Sequence, residues 1–170
     1  MTTLEPKIDK KQIYTKANYS IRTLDDEIRA DRLCQQLLKI FFQELLDQKN
    51  LEPRVAGSHA HGADYFLRNY MIDHCRENIF IINPERLIAF AGNWYIVSTL
   101  EPNMVELESL LQGIESFYAF CAAKKLIDPS SMSSITAACF DLSFYEKRIA
   151  DFHALKGNEF IAWNQACPLH

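Results

Sequence analysis

Glycine and proline are scarce in this sequence of 170 residues, which contains 5 glycines and 6 prolines. These two residues end helices and form most tight turns, so their scarcity favours long elements joined by few connections. The sequence also has no run of about 18 apolar residues and no apolar segment near its first residues that resembles a signal peptide. We therefore expect neither a membrane protein nor a secreted one.

The cysteines do not follow any metal-binding or redox spacing. There is no C-x-x-C pair, and the number of cysteines is odd. The five are Cys34, Cys75, Cys121, Cys139 and Cys167. Most of them fall on or beside apolar stripes of predicted helices, where cysteine behaves as a small buried hydrophobic residue. This pattern predicts free thiols and a cytoplasmic location.

Sequence motifs of the common enzyme classes are also missing. There is no phosphate-binding glycine loop, no G-x-S-x-G turn and no H-E-x-x-H helix. The candidate nucleophiles Ser58 and Cys75 have no basic residue at a diagnostic spacing. The sequence therefore favours a non-enzymatic protein, although the spacing of these residues does not exclude an enzyme. It identifies no catalytic residue.

Charge is distributed unevenly along the chain. The formal net charge is −4, yet residues 1–23 contain five basic residues and only two acidic ones. The rest of the chain is correspondingly acidic, which disfavours broad contact with nucleic-acid phosphates. Residues 1–22 are polar and lack helical periodicity, so they predict a basic N-terminal arm exposed to solvent.

Apolar residues recur at helical spacing in most of the remaining chain, which predicts an all-α bundle of about five helices. The clearest amphipathic helix spans residues 104–125, with Asn103 as its N-cap. Gly113 lies in its middle, where glycine costs about 1 kcal/mol relative to alanine, so we expect a close helix crossing there. The other helices are predicted at residues 23–48, 64–76, 84–98 and 129–155.

The segments between these helices also carry signals. Residues 51–63 contain proline and glycines that interrupt any period and predict a loop. Residues 79–82 form a short apolar run that we interpret as a buried connector. Residues 158–170 contain Trp163 and predict a tail that docks on the body. The predicted organisation is an arm (1–22), a single bundle domain (23–157) and a tail (158–170).

The helical pattern of residues 64–129 resembles a known domain. The residues that carry the resemblance are a helix over 65–74, Asn83-Pro84-Glu85, Gly113-Ile114-Glu115-Ser116-Phe117-Tyr118-Ala119-Phe120 and Lys125-Leu126-Ile127-Asp128-Pro129. This order is similar to the helical core-binding (SAM-like) domain of tyrosine recombinases and covers about 40% of the chain. The resemblance implies a helical fold that contacts DNA. The catalytic arginine, histidine and tyrosine of that family lie in a later domain, however, and only about 40 residues follow here.

The most specific local feature for chemistry is a histidine pair. His59 and His61 are two residues apart, which would place both on one side of an extended loop, and Asp64 follows. Two imidazoles and a carboxylate suit Zn²⁺ or a similar divalent transition metal. The alternative is that both are ordinary loop histidines, or that one caps the following helix. No other cofactor is predicted.

Three functions remain open at this point. The first is a non-enzymatic protein-interaction module that binds a protein partner or forms a homo-oligomer. It rests on the wide apolar face of residues 24–48 and the near-heptad spacing of residues 132–152, whose surplus apolar surface would pair with another chain if the body does not cover it. The second is a metal-dependent enzyme that uses His59, His61 and Asp64. The third is a helical module that associates with nucleic acid through its basic arm and the helices that resemble a core-binding domain.

Overall fold

The computed structural model describes residues 7–169, and within that range every regular element is helical. The predicted all-α fold is therefore confirmed. The α-helices are α1 (Lys10–Ile13), α2 (Leu24–Asp47), α3 (Pro53–Asp64), α4 (Pro84–Ala89), α5 (Tyr95–Ser98), α6 (Met104–Ala123), α7 (Met132–Cys139), α8 (Leu142–His153) and α9 (Glu159–Gln165). Short 3₁₀ turns occupy Lys16–Tyr19 and Pro129–Ser131, and π-helical segments occupy Tyr65–His74 and Phe90–Trp94. None of the helices between residues 7 and 169 is both long enough and apolar enough to cross a membrane.

The helix starts predicted near residues 23, 84 and 104 are confirmed by their hydrogen bonds, whereas the helix predicted from residue 64 begins earlier, at Pro53. The Thr23 side chain accepts from the N–H of Asp26 at 3.1 Å, and the Asp26 carboxylate accepts from the N–H of Thr23 at 3.0 Å. Asn83 and Asn103 cap α4 and α6 in the same way, at 3.0 and 2.9 Å. These side chains satisfy N–H groups that have no partner inside the helix, so each cap fixes where its helix begins.

The prediction of a loop at residues 51–63 is wrong, because most of this segment forms α3. Helix α3 begins with Pro53 in its first turn and continues without a break into the π-helical segment Tyr65–His74. Gly57 and Gly62 were read as helix breakers, but a glycine in a helix costs only about 1 kcal/mol. Tertiary packing compensates for that cost at Gly62, which is buried.

Helices α3 and α6 cross at Gly62 of α3 and Gly113 of α6, and each glycine faces the backbone of the other helix. A Cβ atom added to Gly62 would lie 2.6 Å from the carbonyl oxygen of Leu110 in α6. A Cβ atom on Gly113 would overlap the carbonyl oxygen of His59 in α3. Neither contact leaves room for a side chain. The prediction that Gly113 marks a close helix crossing is confirmed, and Gly62 is its counterpart on the other helix.

Helix α2 is covered on two sides by its own chain. Its buried face, which includes Leu37 and Phe41, packs against α3 on one side and against the N-terminal segment on the other. Ile13 and Tyr19 from that segment are buried, and the Tyr19 hydroxyl donates to the Ile13 carbonyl at 2.7 Å. The prediction of an arm without helix is therefore wrong for residues 10–19, although most of these side chains are exposed as expected. Residues 1–6 of the predicted arm lie outside the described residues.

The single helix predicted at residues 129–155 is also wrong, because the chain turns at Phe140–Asp141 and forms α7 and α8. Helix α7 packs on α4 and α6, whereas α8 packs on the π-helical segment Phe90–Trp94 and on α6. The Tyr145 hydroxyl of α8 donates to the Ala138 carbonyl of α7 at 2.5 Å and holds the turn. Gly157 adopts a positive φ of 56°, which is typical of a glycine just after a helix end. It does not end α8, however, because α8 ends earlier, at His153.

The predicted docking of the C-terminal tail is confirmed. The indole of Trp163 in α9 is 6% exposed, and its N–H donates to the Arg148 carbonyl at 3.1 Å. The Arg148 guanidinium lies over the Trp163 ring and donates to the Trp163 carbonyl at 2.7 Å and to the Gly92 carbonyl at 2.8 Å. Burial without a carboxylate partner lowers the pKa of Arg148. Arg148 of α8 thus joins α9 to the π-helical segment Phe90–Trp94.

The connector predicted at residues 79–82 forms a turn without strand structure, but it is buried only in part, because Ile81 is 73% exposed. Ile79 and Phe80 are buried, and the Tyr118 hydroxyl of α6 donates to the Ile79 carbonyl at 2.9 Å. The side chain of Asn78 donates to the Lys16 carbonyl at 2.9 Å, so the connector also holds the N-terminal segment.

We expect Gly62→Ala and Gly113→Ala each to lower the free energy of unfolding by about 1–3 kcal/mol, the usual cost of overpacking. Both substitutions force the α3 and α6 backbones apart, because the atom that each new methyl group meets belongs to the backbone. Urea unfolding followed by circular dichroism measures the change.

Gly57→Ala is the matched control, since it lies in the same helix and a Cβ atom there would meet nothing within 4 Å. It should raise the free energy of unfolding by about 0.5–1 kcal/mol, because alanine is the better helix former. If Gly113→Ala behaved like Gly57→Ala, the crossing would not be as close as described.

Candidate functional site

The three residues of the predicted metal site lie on a helix and not on a loop. His59 and His61 are two residues apart in α3, so they project about 200° apart around the helix axis. The prediction that both imidazoles lie on one side of an extended loop is therefore wrong. Asp64 is the last residue of α3, and its carboxylate accepts from Arg68 at 3.0 Å.

The two histidines face different surroundings. His59 lies at the crossing with α6, where its Nδ1 atom is buried and has no hydrogen-bond partner among the described residues. Burial lowers the pKa of His59, although the nearby Glu115 carboxylate acts in the opposite direction. His61 is exposed and stacks on the ring of Tyr65, with the ring centroids 6.5 Å apart.

Asp64 belongs to a network of ion pairs between α2 and α3. The Arg68 guanidinium donates to Asp31 of α2 at 2.8 Å as well as to Asp64. The hydrogen bonds to Asp31 raise the pKa of Arg68 most strongly, and the hydrogen bond to Asp64 raises it further. The Asp64 carboxylate therefore helps to hold α3 against α2.

No three His, Cys, Asp or Glu side chains within residues 7–169 are arranged to hold a metal ion together. His74 stacks on Tyr70, and His153 lies 3.4 Å from the Pro102 carbonyl. A metal site at His59, His61 and Asp64 stays a prediction from the sequence, and the structure offers no common side for the three ligands.

The environments of the two candidate nucleophiles, Ser58 and Cys75, do not activate either side chain. The Ser58 hydroxyl lies 2.9 Å from the hydroxyl of Ser109 across the α3–α6 crossing, where it pairs with an equally weak group. Burial raises the pKa of the Cys75 thiol, which disfavours the reactive thiolate. Neither residue has the geometry of an activated nucleophile.

Aromatic side chains fill the space between the two π-helical segments. The Trp94 ring lies 5.4 Å from Tyr65, 5.3 Å from Tyr70 and 5.9 Å from His74. Phe90 contacts Tyr65, Tyr70 and Trp94 from the buried side. Such contacts are worth about 0.5–1.5 kcal/mol each beyond the area they bury. The cluster is a rigid wall that runs from the core to the surface at Tyr65 and Trp94.

A small cavity of about 300 Å³ opens beside this wall. The lining residues come from α3, the end of α5 and the first turns of α6. They are His61, Tyr65, Ser98, Thr99, Glu106 and Leu110. Burial raises the pKa of the Tyr65 phenol, and hydrogen bonding with Thr99 partly opposes that effect. The cavity therefore offers neutral polar groups and the Glu106 carboxylate to a partner.

Apolar side chains project into solvent next to the cavity, at the corner between α5 and α6. Leu100 is fully exposed, Val105 is 84% exposed and Val97 is 47% exposed. We call these three residues the corner surface. They lie within nine positions of one another in the sequence, and Ser98, Thr99 and Glu106 join them to the cavity.

The backbone of the corner is held rigidly. The Tyr95 hydroxyl donates to the Asn103 carbonyl and accepts from the Asn103 N–H, both at 3.2 Å. The Asn103 side chain donates to the Glu101 carbonyl at 3.0 Å and caps α6. Burial raises the pKa of Tyr95 to about 12, so the phenol keeps its proton and both hydrogen bonds at neutral pH. The corner therefore presents Leu100 on a fixed turn.

The sequence predicted none of the corner residues as functional. Leu100 lies in the short connection between the helices predicted at residues 84–98 and 104–125, where no pattern marks it as functional. Val105 lies off the apolar stripe of α6, and this was a usable signal, because an apolar residue outside the stripe of an amphipathic helix faces solvent. Only His61 is shared by the predicted site and the observed cavity.

Comparisons with known proteins add no assignment to this geometry. No protein-family model matches the chain, and neither a curated protein nor a solved structure does. The resemblance of residues 64–129 to a recombinase core-binding domain is thus neither supported nor contradicted and stays a prediction.

We expect His59 to make the fold less stable as the pH falls. The pKa of the folded-state imidazole is lowered, so the unfolded chain takes up a proton first, near the usual value of about 6.5. Stability should therefore decline as the pH drops through that value and stop declining below the folded-state pKa. In His59→Gln this part of the decline should be absent.

The measurement is urea unfolding of both proteins at several pH values between neutral and mildly acidic. All other titrating groups are shared, so the difference between the two curves reports His59 alone. A constant difference across this range would show that His59 does not titrate with folding.

Proposed function

We propose that this protein is a non-enzymatic protein-interaction module and that the corner surface is its contact site. The observation that supports the proposal best is the full exposure of Leu100 on a turn fixed by hydrogen bonds. An exposed leucine gains about 1.5–3 kcal/mol when it is buried, so a partner that covers it gains affinity. A rigid turn adds to that gain, because little conformational entropy is lost on binding.

The surroundings of Leu100 also suit a protein interface. Apolar contacts at the centre with polar groups at the rim are the usual anatomy of such interfaces. Here the rim consists of the cavity lined by Tyr65 and Glu106 and the exposed carboxylate of Glu101. A side chain of the partner that enters the cavity would meet hydroxyl and carboxylate groups while Leu100 packs into the partner.

The corner surface replaces the two interaction surfaces that the sequence predicted. Most of the apolar face of α2 is covered by α3 and by the N-terminal segment, and Ile28 near its start stays 50% exposed. The near-heptad pattern of residues 132–152 belongs to two separate helices that pack inside the fold. Among the exposed apolar side chains of the described residues, those of the corner combine a hydrogen-bonded backbone with an adjoining cavity.

Leu100→Glu should abolish the interaction without unfolding the protein, because the side chain makes no buried contact to lose. Placing a charge in the centre of an apolar contact should weaken binding by at least about a hundredfold. Analytical ultracentrifugation over a wide concentration range measures self-association. A pull-down followed by mass spectrometry measures binding of other proteins.

Ile81→Glu is the matched control, because Ile81 is also an exposed aliphatic residue (73%) but lies in the connector between the π-helical segment and α4. It should bind as the wild type does. The proposal fails if the wild type stays monomeric and captures no protein whose recovery depends on Leu100.

A further inference from the structure

A groove between the N-terminal segment and α2 has a chemistry opposite to that of the corner. Lys7 and Ile8 line both of its two depressions, which measure about 540 and 470 Å³. We call the two depressions together the basic groove. Its cations are Lys7, Lys10, Arg29, Arg32 and Lys39, and its only carboxylate among the described residues is Asp25.

Most of these cations are free to contact a partner. Arg29 is engaged, since it pairs with Asp26 at 2.9 Å and donates to the Asn18 carbonyl at 3.0 Å. The other four make no ion pair within residues 7–169. Arg32 and Lys39 are exposed and lie seven positions apart, on the same face of α2. Four unpaired cations in an otherwise acidic chain form a local positive surface.

Apolar side chains lie between the cations. Ile28 is 50% exposed, and Ile8 and Ile40 are partly exposed. No aromatic residue is among the described residues that line the groove. Single-stranded nucleic acids are usually bound by a cationic surface that also carries aromatic rings for base stacking. A mixed aliphatic and cationic lining fits an apolar protein surface that carries carboxylates.

The corner has that combination. Leu100 and Val105 supply the apolar part, and Glu101 and Glu106 follow them directly in the sequence. Glu108 lies one helical turn after Val105 on α6. None of the three carboxylates forms an ion pair with another described residue. One chain therefore carries an apolar-acidic surface and an apolar-basic groove.

We propose that the basic groove binds the corner of a second copy of this chain, which rests on the proposed function of the corner surface. Leu100 enters the groove beside Ile28, and the carboxylates of the corner meet Arg32 and Lys39. The contact joins two different surfaces, so it is head-to-tail: copies either close into a ring or continue as an open chain. Ion pairs at the rim of the contact weaken as the salt concentration rises.

Charge reversal tests this assignment. A groove variant, Arg32→Glu/Lys39→Glu, places acidic residues opposite the acidic corner. A corner variant, Glu101→Lys/Glu108→Lys, places basic residues opposite the basic groove. Each variant alone should self-associate at least about tenfold more weakly than the wild type, because like charges now face each other. None of the four side chains makes an ion pair, so circular dichroism should show an unchanged fold.

A mixture of the two variants should restore association, because the acidic groove of one then meets the basic corner of the other, and the reverse pair also matches. Analytical ultracentrifugation with one variant fluorescently labelled measures this mixed association directly. Restoration in the mixture supports the assignment, since a general loss of stability would not be repaired by mixing.

Several outcomes would overturn the assignment. If the groove variant associates as the wild type does, the contact is corner to corner or lies elsewhere. If the wild type does not self-associate but binds labelled duplex DNA at low salt, and the groove variant does not, the groove serves nucleic acid instead. If Leu100→Glu loses a captured protein that the groove variant keeps, only this inference fails and the proposed function stands. If Leu100→Glu has no effect on any association, both fail.

Discussion

Helices α3 and α6 lie so close together that backbone touches backbone, and this contact organises the rest of the fold. Gly62 faces the Leu110 carbonyl, and Gly113 faces the His59 carbonyl. Close helix packing of this kind gains dispersion energy over many atoms while it excludes side chains from the interface. Because α3 also packs on α2, the crossing fixes the relative positions of α2, α3 and α6.

The same crossing decides what the candidate site contains. It buries one side of His59, whereas His61 points outward and stacks on Tyr65. The two histidines of one short segment therefore have different surroundings. It also brings the start of α6 beside α3, which forms the cavity between Tyr65 and Glu106. The aromatic cluster around Trp94 then supports this cavity from behind. These rings belong to the two π-helical segments, and such segments recur at functional positions in proteins.

Charge segregation is the second constraint on this molecule. The first 23 residues carry the excess of positive charge, and the structure lays part of them along the cations of α2. The carboxylates of residues 101–108 stay on the corner at the start of α6. Surfaces of opposite sign on one chain steer association and fix its orientation more than they add raw affinity. The apolar side chains within each surface supply the larger part of any binding free energy.

Local signals in the sequence were sufficient wherever a residue and its near neighbours decide the outcome. Helix starts at Thr23, Asn83 and Asn103 follow from side chains that bond the next N–H groups, and the stripe of α6 follows from helical periodicity. The tight crossing at Gly113 also followed, because a costly glycine in a strong helix needs a packing reason. These properties depend on a few adjacent residues.

Tertiary structure decided the features in which distant segments compete with local preference. The helix α3 forms through two glycines because Gly62 packs on α6, and the last predicted helix divides because α7 and α8 bind different neighbours. The corner surface depends on which apolar residues the fold leaves uncovered, and the basic groove depends on how the N-terminal segment packs on α2. The sequence by itself determined the class of fold and where several helices begin. Only packing in three dimensions decided which polar and apolar side chains share a surface, because that is a property of contacts between residues far apart in the chain.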